Sequence, residues 1–110
     1  MNNIDVLNGL FDVIKERKTN PQEGSYTCYL FEQGIDKILK KCGEECSEMI
    51  IAAKNADKEE ISNEMCDLLF HMLVLMAESG VELSDVTEIL ENRRQKIGNL
   101  KVFHKSNHES

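Results

Sequence analysis

The chain has 110 residues and a formal net charge of −7, so it fits a single domain over residues 1–110 with a small core. The acidic balance argues against general nucleic-acid binding, which needs a basic surface, but bound Mg²⁺ would still allow a nucleotide substrate. No apolar run approaches the roughly 18 residues of a membrane span, and the first residues lack the basic and apolar regions of a signal peptide, so we expect a cytoplasmic protein.

The chain contains one proline, and its apolar residues recur at helical spacing, which predicts an all-α fold. The first helix is predicted from about Ile4 to Arg17. A polar loop over residues 18–24 follows, and the stretch beginning at Ser25 caps a short helical turn that ends near Gln33.

The second long helix is predicted from about Ile35 to Asn55 and is amphipathic. Glu45 and Glu48 lie on one border of its apolar stripe, whereas Glu44 points further towards solvent. At 100° per residue the stripe is about 120° wide and contains Ile35, Ile38, Leu39, Cys42, Cys46, Met49, Ile50 and Ala53.

The third long helix, Lys58 to Ser79, is apolar nearly all round and is ended by Gly80. It carries one polar stripe, which consists of Glu64, Asp67 and His71. Ser84 is predicted to cap a fourth long helix that ends near Ile97, and residues 100–110 are predicted to be a flexible tail. We therefore expect a four- to five-helix bundle whose second and third long helices are central.

Two features of the apolar residues bear on assembly and redox state. The third long helix is more apolar than a 110-residue monomer easily covers, which predicts a homodimer with this helix near the contact. The four cysteines form no C-x-x-C pair, so we interpret them as buried thiols, with a zinc or disulfide role as the alternative. They are Cys28, Cys42, Cys46 and Cys66.

Two pairs of acidic residues have the spacing of a metal site. Glu45/Glu48 and Glu64/Asp67 are each three residues apart, so each pair projects from one helical face. If the short turn at 55–57 makes the two helices antiparallel, the pairs meet near mid-helix and line a pocket with oxygen. Such a donor set suits Mg²⁺, which takes carboxylates, waters and substrate phosphates.

Each of these side chains also has a simpler interpretation. The glutamates, Glu44 above all, are alternatively solvated surface groups, and His71 is alternatively a hydrogen-bonded core histidine rather than a metal ligand. The lysines near the acidic pairs either keep the surface soluble or bind a polyphosphate; they are Lys37, Lys40, Lys41 and Lys54. The sequence contains no Gly-rich phosphate loop, which excludes a P-loop mechanism.

The pattern E-E-x-x-E followed by E-x-x-D resembles the MazG-type all-α nucleoside-triphosphate pyrophosphohydrolases. A closer resemblance covers nearly the whole chain and is to the phosphoribosyl-ATP pyrophosphatase family. It rests on the stretches 25–27, 30–31, Gly34, 37–45, 51–54 and 64–71.

The resemblance implies hydrolysis of phosphoribosyl-ATP to phosphoribosyl-AMP and pyrophosphate, the second step of histidine biosynthesis. It implies that Glu45, Glu48, Glu64 and Asp67 hold Mg²⁺, with Glu44 supporting the site or orienting water. The four lysines are candidates for binding the substrate phosphates. In many organisms this activity is fused to the cyclohydrolase that follows in the pathway. This sequence shows no such domain, so we expect that enzyme to be a separate chain here.

Three other functions remain open at this point. The nearest is a house-cleaning nucleotide pyrophosphatase of the same architecture. A di-iron carboxylate bundle needs Glu-x-x-His twice, but Ile51 and Asp67 stand where the histidines would be. A non-catalytic helical module with solubilising glutamates is the third.

Overall fold

The computed structural model describes residues 2–98, without the side chain of Ile4. These residues form five helices and no strand, which confirms the all-α prediction. The helices are α1 (Asn3–Thr19), α2 (Tyr26–Gln33), α3 (Ile35–Lys54), α4 (Lys58–Ser79) and α5 (Leu83–Gly98). The predicted tail at 100–110 lies outside the described residues.

The local signals in the sequence explain where the helices begin and end. The Ser25 side chain accepts a hydrogen bond from the Cys28 N–H at 3.2 Å, which caps α2 as predicted. The Asp57 carboxylate caps α4 by accepting from the N–H groups of Glu59 and Glu60. Gly80 ends α4 in the left-handed conformation, with φ of 73°, which glycine adopts without strain.

Helices α3 and α4 form an antiparallel pair at the centre of the first compact unit, residues 1–80. The three residues at 55–57 turn the chain back. The Cys42 thiol donates to the His71 carbonyl at 3.5 Å, and Glu48 lies beside Glu64. In both contacts the two residues lie at nearly equal sequence distances from the turn at 55–57. This is the pattern expected when two antiparallel helices keep the same register along their length.

Buried apolar side chains from four helices meet in the core of this unit. Helices α1 and α2 pack against each other and against the central pair. The buried apolar residues are Phe11, Ile14, Leu30, Ile38, Ala52, Leu73 and Val74.

The buried face of α3 differs from the predicted apolar stripe. Ile38, Glu45 and Ala52 are buried at seven-residue intervals, whereas Leu39 and Ile50 are 48% and 58% exposed. The helix is therefore rotated so that Glu45, on the predicted acidic border, packs inward, while part of the apolar stripe faces outward. The cysteines also differ from the prediction, because Cys66 is exposed and the other three are only partly buried.

The second compact unit contains α5, and its described residues are 81–98. The Asp85 carboxylate accepts from the Glu82 N–H at 2.8 Å, so the helix begins at Leu83. The predicted cap at Ser84 is wrong for this reason, since Ser84 lies inside the first turn. Further along, Arg94 donates two hydrogen bonds to the Glu91 carboxylate at 2.9 and 2.8 Å.

Within the described part of the chain, no helix is both long enough and apolar enough to cross a membrane.

Candidate metal centre

Three carboxylates from the central helix pair converge on one point. Glu45 and Glu48 extend from α3, and Glu64 extends from α4. One oxygen from each lies within 4.8 Å of the other two. We call these three residues the carboxylate cluster. The three-residue spacing on α3 and the antiparallel register bring them together.

The carboxylate cluster is shielded from water on one side. Glu45 is only 7% exposed, Glu64 is partly buried and Glu48 is exposed. Glu45 Oε2 and Glu64 Oε2 are fully shielded from solvent, and neither receives a hydrogen bond within the described residues. A buried polar atom without a partner is energetically costly. Binding of a cation or a hydrogen-bond donor at these two oxygens would therefore be favourable.

The pKa shifts within the carboxylate cluster also indicate a lack of positive charge. The pKa of Glu48 is raised above its usual range, first by a hydrogen bond shared with the Glu45 carboxyl and then by the charge on that group. The pKa of Glu64 is also raised, first by loss of solvent and then by the charges of Asp67 and Glu45. Mutual repulsion thus makes full ionisation of the cluster unfavourable unless a cation neutralises it.

The donor set of the cluster fits a divalent cation with hard-ligand chemistry. Glutamate oxygens are the ligands that Mg²⁺ accepts, and Mg²⁺ keeps several positions for water and phosphate. Glu45, Glu48 and Glu64 supply three such groups, and the two shielded oxygens gain a partner when a cation binds. Ile51 is 60% exposed, and no histidine stands three residues after Glu48 or Glu64, so the pattern of a di-iron site is not met.

The other two predicted acidic residues lie beside the cluster. Asp67 is exposed one turn beyond Glu64 on α4, and its charge acts on Glu64, but it does not belong to the group of three oxygens. Glu44 is exposed, as predicted, and its carboxylate lies 3.3 Å from Lys41 Nζ.

The predicted basic residues divide into two groups. Lys41 Nζ is 3.6 Å from Glu45 Oε1, which places one ammonium at the edge of the cluster. Lys37 Nζ instead lies 5.9 Å from the centroid of the Tyr29 ring. Lys40 and Lys54 are exposed on α3, and within residues 2–98 neither forms an ion pair with the cluster.

His71 is held by hydrogen bonds at both ring nitrogens, in agreement with the core-histidine alternative. It is 5% exposed. Nδ1 lies 2.7 Å from the Asp67 carbonyl, and Nε2 lies 2.9 Å from the Tyr26 hydroxyl. Sequence reasoning missed Tyr26, because nothing in the spacing links residues 45 positions apart.

The chain is similar to several known proteins over most of its length. The family described as phosphoribosyl-ATP pyrophosphohydrolase matches residues 7–94. The chain is 56% identical over 101 residues to a phosphoribosyl-ATP pyrophosphatase of Clostridium botulinum, strain Hall, covering 92% of each chain. A protein with that name from Clostridium novyi is 55% identical with the same coverage. The histidine biosynthesis bifunctional protein HisIE of Caldanaerobacter subterraneus is 55% identical over 93 residues, which are 84% of this chain and 45% of that protein.

Proposed function

The chain belongs to the phosphoribosyl-ATP pyrophosphohydrolase family, and we propose that it hydrolyses phosphoribosyl-ATP to phosphoribosyl-AMP and pyrophosphate. This reaction is the second step of histidine biosynthesis, the pathway that the name of the bifunctional relative also states. The observation that carries the proposal is the carboxylate cluster, whose two shielded oxygens have no donor among the described residues.

We propose that the carboxylate cluster holds Mg²⁺ together with Asp67. When bound, Mg²⁺ supplies positive charge that stabilises the leaving pyrophosphate and lowers the pKa of an attacking water. Glu45, Glu48 and Glu64 provide the fixed oxygens, and Asp67 reaches the site from the exposed turn beyond Glu64.

The charged residues around the cluster have proposed roles in binding. Lys41 is the first candidate for a substrate phosphate, because its ammonium already lies between Glu44 and Glu45. The same ion pair holds Glu44 at the solvent side, where its carboxylate orients water. The substrate carries both a triphosphate and a ribose 5′-phosphate; Lys37, Lys40 and Lys54 are candidates for the remaining phosphates.

An assay of released pyrophosphate tests the reaction. We expect faster turnover of phosphoribosyl-ATP than of dUTP, dCTP or ITP, whereas faster turnover of a plain nucleotide would favour a house-cleaning pyrophosphatase. Glu64→Gln keeps the shape of the side chain and removes its charge, so it should abolish activity while the circular dichroism spectrum is unchanged. Unchanged activity of this variant would favour the non-catalytic module.

Complementation tests the pathway. The gene is expected to restore growth without histidine to a bacterial strain that lacks this pyrophosphatase. Failure of the expressed, folded protein to restore growth would contradict the pathway assignment.

We propose that the protein acts as a homodimer through an apolar groove of about 620 Å³ between α1 and α4. Apolar residues from both helices line it, including Val6, Leu10, Met65 and Leu69, which are 53%, 37%, 45% and 48% exposed. Exposed apolar area of this kind on a small protein is typical of a subunit interface.

Sedimentation at micromolar concentration tests the dimer. The wild-type protein is expected to sediment as a dimer, and Leu69→Glu as a monomer, because a charge in the groove opposes apolar contact. Ile89→Glu, at a half-exposed isoleucine of α5, is the control and should remain dimeric. A monomeric wild-type protein would overturn the proposal.

The setting of the reaction is part of the same proposal. We propose that a cyclohydrolase consumes the product, phosphoribosyl-AMP; the bifunctional relative, which is named for histidine biosynthesis, is more than twice as long as its matched part. We also propose that the enzyme works in the cytoplasm, because its cysteines are free thiols and such thiols persist in reducing compartments.

A further inference from the structure

The Tyr26–His71 contact joins α2 to α4, the helix that carries Glu64. Tyr26 is the first residue of α2, and His71 lies in the middle of α4. Their side chains meet at 2.9 Å, with the imidazole buried. The Tyr26 ring also packs near the rings of Phe70 and His71, at centroid distances of 6.1 and 5.7 Å. The two aromatic residues thus hold the start of α2 against one turn of α4.

The hydrogen-bond partners determine where the protons lie. A backbone carbonyl can only accept, so His71 Nδ1 carries the proton and donates to the Asp67 oxygen. In the neutral ring Nε2 is then an acceptor, and the Tyr26 hydroxyl donates to it. Every hydrogen-bonding group of this buried imidazole is therefore used.

The same tyrosine lies within the electrostatic reach of α3. Burial raises the pKa of the Tyr26 hydroxyl, the Lys41 ammonium lowers it, and the Glu45 carboxylate raises it further. The Tyr26 hydroxyl is thus hydrogen-bonded to buried His71 on α4 and is affected by the charges of Lys41 and Glu45 on α3. Tyr26 is hydrogen-bonded to the turn of α4 that begins at Asp67 and ends at His71. Asp67 lies three residues after Glu64.

We propose that Tyr26 and His71 are a positioning pair, which fixes the α4 turn beginning at Asp67, and with it Glu64, against Glu45 and Glu48 on α3. The inference rests on the proposed metal site and assigns this pair no contact with the substrate. Groups that hold metal ligands in place typically contribute 10- to 100-fold to metal affinity or activity. Without the hydroxyl, His71 Nε2 loses its hydrogen-bond donor, and α2 loses its side-chain hydrogen bond to this turn of α4.

Titration of the substrate-free, full-length protein with Mn²⁺, followed by electron paramagnetic resonance, tests the pair. Tyr26→Phe removes one hydroxyl and is expected to weaken Mn²⁺ binding about 10-fold. Tyr29→Phe is the matched control, because Tyr29 lies one turn along α2, is similarly exposed and stacks on Tyr26. It should bind Mn²⁺ as the wild-type protein does.

Kinetics distinguish positioning from substrate contact. At saturating Mg²⁺, Tyr26→Phe should lower kcat more than it raises KM for phosphoribosyl-ATP. A change confined to KM, with Mn²⁺ affinity unaltered, would show that Tyr26 contacts substrate and would overturn the proposal. Equal Mn²⁺ affinity of Tyr26→Phe and the wild-type protein would overturn it as well.

Substitutions of the histidine separate the pair from simple packing. His71→Gln places an amide near Nε2 and should retain most of the Mn²⁺ affinity, because the amide oxygen can accept from Tyr26. His71→Leu should lose affinity, and adding Tyr26→Phe to it should cause no further loss, since the two residues act together. Independent, additive losses in the double variant would contradict a pair.

The outcomes for the pair and for the proposed function differ. A wild-type protein that binds no Mn²⁺ would remove the metal site, and the pair with it. A wild-type protein that binds Mn²⁺ and hydrolyses phosphoribosyl-ATP, next to a Tyr26→Phe variant that does both equally well, would remove the pair alone. Thermal unfolding of each variant, followed by circular dichroism, confirms that the proteins compared are folded.

Discussion

Glu45, Glu48 and Glu64 bring negative charge into a space that partly excludes water. The raised pKa values of Glu48 and Glu64 mean that the folded, metal-free protein favours their neutral forms more than the unfolded chain does. Because the unfolded chain places no such constraint on them, their ionisation opposes folding. The carboxylate cluster therefore lowers the stability of the metal-free fold, and the proposed cation would offset this cost.

Replacing Glu48 with glutamine should stabilise the metal-free protein. The amide removes one negative charge next to Glu45, so Tm in EDTA is expected to rise by a few degrees, while the rise in Tm that Mg²⁺ causes should disappear. Glu44→Gln is the control: it removes the favourable ion pair with Lys41 and should not raise Tm. Differential scanning calorimetry measures both, and a lower Tm of Glu48→Gln in EDTA would contradict this account.

The pH dependence of stability should carry the sign of these shifts. Groups with a raised folded-state pKa stabilise the fold when protonated, and this contribution is lost as pH rises through the folded pKa. In EDTA, the free energy of unfolding of the wild-type protein relative to Glu48→Gln should therefore fall from about pH 4 upward.

Urea unfolding at several pH values, with and without Mg²⁺, measures this difference. Saturating Mg²⁺ should reverse the trend, because the metal binds the ionised carboxylates and stabilises the folded protein more as they deprotonate. A metal-free difference that grows with pH in favour of the wild-type protein would contradict the assignment.

At the scale of the elements, the turn between α3 and α4 is strained at one residue. Ala56 has φ of 58°, the single non-glycine residue with positive φ among those described. A side chain with a Cβ makes this conformation costly by about 1–2 kcal/mol. The turn nevertheless persists, because Asp57 caps α4 immediately after it.

Ala56→Gly should relieve the strain and raise the free energy of unfolding by about 1 kcal/mol. Gly80→Ala reverses the chemistry at another left-handed position, with φ of 73°, and should lower it by about the same amount. Urea unfolding measures both changes. A destabilised Ala56→Gly protein would show that the turn is not strained.

The ends of α4 were predictable because their signals are local. Asp57 and Gly80 bracket α4, and its bounds agree with the prediction from Lys58 to Ser79. The buried face of α3 was not predicted correctly, since periodicity shows that a helix is amphipathic but not how its neighbours rotate it. Packing against α4 buries Glu45 and leaves Ile50 exposed, which an apolar stripe alone does not indicate. The left-handed conformation of Ala56 was not predictable either, because alanine does not favour positive φ.

At the scale of the whole molecule, the site follows from two regularities of the sequence. Three-residue spacing aligns carboxylates on each helix, and a three-residue turn sets the register between the helices. These suffice to predict that Glu45, Glu48 and Glu64 meet, but they also predict Asp67 in the same group, and its oxygens are not part of the cluster. The contact between Tyr26 and His71 depends on how α2 lies on the central pair, which no spacing in the sequence encodes.

The central proposal is that the carboxylate cluster binds a cation, because the proposed reaction, the lysine roles and the positioning pair all depend on it. The most direct test is the anomalous scattering of Mn²⁺ in a crystal of the wild-type protein. A strong peak is expected at bonding distance from carboxylate oxygens of Glu45, Glu48 and Glu64, and it should be absent from Glu64→Gln crystals grown in the same way. A saturated crystal with no peak between α3 and α4, or with Mn²⁺ bound only elsewhere, would contradict the account.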